Sequence, residues 1–269
     1  MTETTLPPMP QPALYLPHGG GPCFFMPDPQ GTWRGMEHFL AGVADSLPQR
    51  PRAILIVSGH WETEGFAFTG SPAPDLIFDY YGFPPHTYDL AYPVPGDPAL
   101  AQQARDLIVA AGLPARVDAT RGIDHGVFVP MMVAFPGADI PVVEMSLDTR
   151  LDPALHLAAG RALAPLRHDN VLILATGMSF HNMRGYRDPR STELSQAFDG
   201  WLTDAATHGP AERDALLSGW AQAPGGRFSH PREEHLLPLM VAAGASDAAG
   251  ERIYAEVVMQ TALSAFRFA

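Results

Sequence analysis

Three histidines, His18, His60 and His181, each stand a few residues beyond a short apolar run, in Ala13-Leu-Tyr-Leu-Pro-His18, Ile54-Leu-Ile-Val-Ser-Gly-His60 and Val171-Leu-Ile-Leu-Ala-Thr-Gly-Met-Ser-Phe-His181. Imidazole is the commonest side-chain metal ligand, so this repetition marks a candidate metal site. His125, in Gly122-Ile-Asp-His-Gly126, and His230 and His235, in His230-Pro-Arg-Glu-Glu-His235-Leu-Leu-Pro-Leu239, join them as candidates. Taken singly, any one of the 11 histidines is more often a hydrogen-bonded structural residue. The joint pattern is what carries the reading, and His38, His86, His156, His168 and His208 lack it.

The elements that would position these histidines follow from local patterning. Ala53–Val57 and Val171–Ala175 are too short for helices and rich in branched residues, which predicts strands buried on both faces. Ligands of open α/β sheets bind outside the carboxyl ends of strands, so histidines distant in sequence can converge there. Between the strands, Trp33–Leu47 has helix-like apolar spacing and is stopped by Pro48–Pro51. Asp97 is placed as an N-cap with Pro98 at the first helical position, for a helix that runs to about Ala111 and ends at Gly112. Ile140–Leu147 reads as a strand, and Pro153–Leu166 and Glu193–Ala206 read as helices. The alternation predicts an α/β fold, with a central mixed, largely parallel sheet flanked by helices and the metal site at the strand C-terminal ends. The segment Ser71–Pro98, dense in Pro, Gly and aromatics, is expected to be an ordered loop roofing a pocket. Gly19–Gly21 beside His18 would let backbone approach a ligand closely.

Composition bounds the function. At 269 residues, 46% hydrophobic and 17% charged, the chain can bury a full core, and it is read as one domain over 1–269 with residues 1–11 a flexible N-terminus. A net charge of −12, with 17 scattered basic residues, argues against a nucleic-acid surface. The lone Cys23 excludes a disulfide framework and any multi-cysteine zinc site, which leaves His and carboxylates as metal ligands. Met1–Gln11 lacks the features of a secretory signal, and no apolar run approaches the roughly 20 residues that span a bilayer. A cytoplasmic protein without a membrane partner is expected.

His18-Gly-Gly-Gly-Pro22, Ser58-Gly-His60-Trp61-Glu62-Thr63, Asp124-His125-Gly126, Ser179-Phe-His181-Asn182 and Glu234-His235-Leu-Leu-Pro-Leu239 resemble the DODA-type members of the class III (LigB-like) extradiol ring-cleavage dioxygenases, which include the 4,5-DOPA dioxygenases. The resemblance covers nearly the whole chain, including Tyr88-Asp-Leu-Ala-Tyr-Pro-Val-Pro-Gly96. It implies a mononuclear non-haem Fe(II) enzyme that opens catechols next to the diol with O2, with Zn(II) able to occupy the site as isolated. It assigns His18, His60 and His235 as metal ligands. Non-haem Fe(II) sites commonly use two His and one carboxylate; Glu233 and Glu234 lie where more distant relatives use a Glu, whereas the DODA-type pattern favours His235, with His230 outside the ligand position. The resemblance also implies His181 as the base that takes a catechol proton, with close approach to the metal as a fourth ligand when substrate is absent, and His125 as a hydrogen-bonding partner of substrate or oxygen.

On the substrate side, L-DOPA cleaved at the 4,5 bond to the betalamic acid precursor, or a related catechol such as caffeate, would need an apolar slot and one cation for its carboxylate. Arg184, Arg187 and Arg232 are candidates for the cation, each read first as a solvated surface arginine, and Trp61, Tyr80, Tyr81 and Phe128 for the slot, with core packing an equal reading. Two alternatives remain open. One is a zinc hydrolase with Glu62 or Glu234 as base, and the other a non-catalytic metal-binding protein of the same fold.

Overall fold

Short apolar runs in this chain become the centre of one sheet because both of their faces find helices to bury them. The computed structural model describes residues 9–269. Its strands are β1 (Ala13–Pro17), β2 (Ala53–Thr63), β3 (Phe66–Thr69), β4 (Leu76–Ile77), β5 (Ala115–Asp118), β6 (Ile123–Asp124), β7 (Val142–Asp148), β8 (Val171–Gly177), β9 (Gly250–Val258) and β10 (Thr261–Phe268). Eight of them form a sheet in the order β5-β3-β7-β2-β8-β1-β10-β9, and β4 and β6 form a separate pair. The centre, β7-β2-β8-β1, is parallel, with Leu55 opposite Ile173 and Tyr15 opposite Ala175. The flanks are mixed: β3 meets β7 antiparallel, and β10 runs antiparallel to both β1 and β9.

Alternation along each central strand separates two cores. Ala13, Tyr15, Leu55, Val57 and Ile173 face the helices Pro98–Ala110, Pro153–Leu163, Arg190–Thr207, Pro210–Ser218 and Leu237–Gly244. Leu14, Leu16, Ile54, Ile56 and Leu172 face the helices Arg34–Ala41 and His125–Ala134 and the 71–98 segment. Each buried branched side chain contributes on the order of 1.5–3 kcal/mol of hydrophobic stabilisation, so a continuous apolar run is what a doubly covered strand requires. No helix among the described residues is long and apolar enough to cross a membrane.

Element boundaries differ from the sequence expectations where proline and glycine intervene. The helix expected over 33–47 ends at Ala41, and a 3-10 turn, Ala44–Ser46, follows Gly42. The helix expected over 153–166 breaks at Ala164, because Pro165 has no N–H to donate and its ring obstructs a continuing helix. The strand expected from Ile140 begins at Val142, after Pro141. The Asp97 cap forms as expected, with Leu100 N donating to Asp97 Oδ1 at 2.9 Å. Of the N-terminal segment 1–11, residues 1–8 lie outside the described residues, whereas Gln11 is buried and its Nε2 donates to Gln49 O at 2.8 Å and Asn170 Oδ1 at 2.7 Å.

Candidate functional site

β1 and β8 end level with the middle of β2, which runs on to Thr63, so His60 stands inside a strand and not at a strand end, and the histidines gather there. His18 follows β1 directly, its N–H donating to Gly177 O at the end of β8. His60 lies in the part of β2 where pairing with β7 shifts, between Val57 and Glu62. His235 precedes the helix Leu237–Gly244 and is pinned against β8, its carbonyl accepting from Tyr15 Oη at 2.9 Å and Met178 N at 3.1 Å. That approach needs glycine at 177, since a Cβ there would stand 2.1 Å from His235 O.

The Nε2 atoms of these three rings converge: His60 Nε2 lies 3.4 Å from His18 Nε2 and 3.2 Å from His235 Nε2. Each Nδ1 is committed elsewhere, His18 to Gly19 O at 2.9 Å, His60 to Asp79 Oδ2 at 3.3 Å and His235 to Glu234 Oε1 at 3.0 Å. Carbonyl and carboxylate oxygens can only accept, so each Nδ1 carries the proton and each Nε2 presents a lone pair to the other two. Burial, then the neighbouring imidazoles, pushes His18 well below the usual histidine value. Burial first, then His125, lowers His60 to about 4, and burial with His181 lowers His235 well below its usual value. Three neutral imidazoles with facing lone pairs repel one another unless a cation sits between them, and neutral imidazole is the form that binds metal. This donor set fits a divalent transition metal held by His18, His60 and His235, whose ligand atoms can share one ion.

Two more histidines border this cluster, each backed by a carboxylate. His125 opens the helix His125–Ala134, and Asp79 Oδ1 accepts from both its Nδ1, at 2.7 Å, and its backbone N–H, at 3.0 Å. Asp79 therefore bridges His60 and His125; burial opposes its charge, but the contacts with His125 outweigh that and hold it at about 2. His181 is fixed by its backbone N–H donating to Ser229 O at 2.9 Å, and its Nδ1 lies 3.4 Å from Glu234 Oε1. Burial opposes ionisation of Glu234 too, yet the bonds to His181 and His235 hold it far below the carboxylate range. Beneath His60, Ser58 Oγ accepts from the His60 N–H and donates to Asp124 Oδ1 at 2.8 Å. Asp124 is paired with Arg121 at 3.2 Å, and Glu144, pushed well above its usual value by burial and Asp124, accepts from Asp124 N.

A cavity of about 430 Å³ opens over His18, His60, His125 and His181. Tyr80 and Tyr81 line it. Trp61 does not; it is 5% exposed and lies under the Arg121 guanidinium at 4.5 Å. Phe128 is fully buried behind Tyr80, ring centroids 6.4 Å apart. Arg232 grips both oxygens of Glu62, at 2.5 and 2.6 Å, which occupies the carboxylate considered as a hydrolytic base. Arg184 is exposed outside the lining, and His230 turns away, its Nε2 on Ser179 O at 2.9 Å. Sequence reasoning missed Asp79, whose one signal was an acidic residue set among Phe78, Tyr80 and Tyr81 in an ordered loop. It also missed Trp33, Met183, Tyr186 and Met259 in the cavity wall.

Comparison with known proteins matches residues 12–267 to the family of the catalytic LigB subunit of aromatic ring-opening dioxygenase. The chain is 40% identical over 260 residues to the dioxygenase tasH of Hapsidospora irregularis, covering 87% of this chain and 78% of that protein. It is 39% identical over 249 residues to the 4,5-DOPA dioxygenase extradiol of Beta vulgaris, covering 91% and 89%. Its fold is similar to the crystal structure of an uncharacterized protein from Escherichia coli K12, with a TM-score of 0.74 at 30% identity over 96% of this chain and 100% of that one. With the match running from the first strand to the last, this chain belongs to the LigB family of aromatic ring-opening dioxygenases and is an extradiol dioxygenase of the 4,5-DOPA dioxygenase type.

Proposed function

We propose that the enzyme opens a catechol next to its diol at a mononuclear Fe(II) held by His18, His60 and His235, both atoms of O2 entering the ring-opened semialdehyde. The observation that carries this reading is the convergence of three Nε2 lone pairs whose Nδ1 atoms are all fixed by acceptors. Bound Fe(II) would supply the redox path between catecholate and O2, and three neutral ligands leave it the positive charge that favours a catecholate.

The residues around the ligands do the proton work. A catechol must shed its hydroxyl protons to chelate, and His181, at the cavity floor with Nδ1 toward Glu234, is the base that takes one and later returns it. With its Nδ1–H donated to Asp79, His125 presents an Nε2 lone pair that accepts from the second hydroxyl of the diol. Tyr80, whose hydroxyl is spent on Thr87 O, presents a ring edge beside His125, centroids 5.4 Å apart, and helps to exclude water from the reacting face. The names of the relatives bring L-DOPA forward as a first substrate to try, with caffeate and simple catechols beside it.

The test is anaerobic reconstitution with Fe(II), then addition of each catechol with and without O2, following oxygen uptake and the yellow ring-opened product. One O2 consumed per catechol is expected. Full iron occupancy with no uptake on any catechol would overturn the proposal.

A further inference from the structure

The chain contains no lysine, and none of its 17 arginines lines the cavity over the histidines. Arg232 is held by Glu62, and Arg121 by Asp124 and the face of Trp61. Arg187 lies on the far side of Trp33 and Met259, in crevices it shares with Asp28 and Glu256. The cavity wall away from the histidines is instead Trp33, Tyr81, Phe83, Met183, Tyr186 and Met259. Met183 is 72% exposed and Tyr81 91% exposed, so large apolar side chains stand open at the mouth. Clustered at a cavity rim, such side chains mark a ligand surface.

A carboxylate against that wall would lose hydration and gain no cation, a cost that an alkyl or aryl group does not bear. The overall charge of −12 adds repulsion against an anionic ligand. Methionine, unbranched and polarizable, adapts to apolar substituents of different shapes. We infer that the catechol opened here carries an uncharged, apolar substituent that lies against Trp33, Phe83, Met183 and Met259, and that a carboxylated side chain is disfavoured. The inference rests on the proposed placement of the diol at the histidines.

A matched pair of ligands isolates the tail: 4-propylcatechol and 3-(3,4-dihydroxyphenyl)propionate differ only in methyl against carboxylate at the end of the chain. Anaerobic calorimetric titration of the iron-loaded enzyme is expected to give about tenfold or tighter binding of propylcatechol, and oxygen uptake the same order in kcat/KM. Equal or tighter binding of the acid, or binding of neither, overturns the inference. Met183→Arg, at an exposed position, is expected to bring the two ligands to within about threefold of each other. Arg184→Ala and Arg187→Ala should leave the ratio unchanged; a shift in either shows that arginine reaching the tail and overturns the inference. If propylcatechol binds preferentially but neither ligand drives oxygen uptake, the dioxygenase reading falls and the tail preference stands. Oxygen uptake that favours the acid does the reverse.

Discussion

The imidazole rings of His181 and His235 stack face to face, with centroids 3.4 Å apart and planes 15° apart, and both Nδ1 atoms turn toward the same oxygen of Glu234. One carboxylate thus orients a proposed metal ligand and the proposed base together. Removing a carboxylate that orients a ligating histidine typically costs 10–100-fold in metal affinity, and that loss is expected for Glu234→Ala in a competitive chelator titration. Affinity within about twofold of the parent would remove Glu234 from this role.

The stacked pair should separate by function when each ring is deleted. His235→Ala takes away a converging Nε2 and is expected to lose stoichiometric metal on purification. His181→Ala leaves the three converging nitrogens in place and is expected to keep its iron while turnover falls by about 10²–10⁴. Metal analysis beside oxygen uptake on both variants decides it: full occupancy in the first rejects the ligand, and full turnover in the second rejects the base.

How much of this was legible in the sequence depends on how far a residue's partner lies along the chain. His18, His60 and His181 could be found because each comes after a continuous apolar run, the mark of a strand buried on both faces. In the outer strand Gly250–Val258, exposed Glu251 and Arg252 precede half-buried Ile253 and Tyr254 and no residue is fully buried before Val258, so it gives no such run. Leu237–Gly244 is apolar on every side because it is wholly buried, which erases the helical period. Asp79 acquires meaning from His125, 46 residues away, and from His60, and Arg232 is gripped most closely by Glu62, 170 residues away. None of these pairings leaves a local signature.

Gly177 lies where the end of β8 meets the backbone of His235. A Cβ at this position would lie 2.1 Å from His235 O, a backbone atom that two donors already fix. Gly177→Ala must therefore push the 234–235 backbone off the end of β8. It is expected to cost about 1–3 kcal/mol of stability, as overpacking does, and to weaken metal binding along with it. Denaturant unfolding and chelator titration measure the two effects; an unchanged metal affinity would show that His235 tolerates the shift.

Acid should destabilise the metal-free protein through the same histidines that would bind the ion. His60 titrates at about 4 in the folded chain, lowered first by burial and then by His125, against an ordinary value of 6.5. Between those values the unfolded chain binds the extra proton, so the stability associated with neutral His60 is full above pH 6.5 and is lost as the pH falls toward 4. A shift of this size corresponds to about 3 kcal/mol, and His18 and His235, pushed the same way, steepen the fall. Asp79 acts in a separate window: held at about 2 against 3.8, its stabilisation is complete above about pH 3.8 and is lost only below it. Urea unfolding of chelator-treated protein should therefore show a midpoint that drops between pH 6.5 and 4, and His60→Gln should flatten that drop. A midpoint independent of pH across the window would mean that these imidazoles are not held neutral in the folded protein.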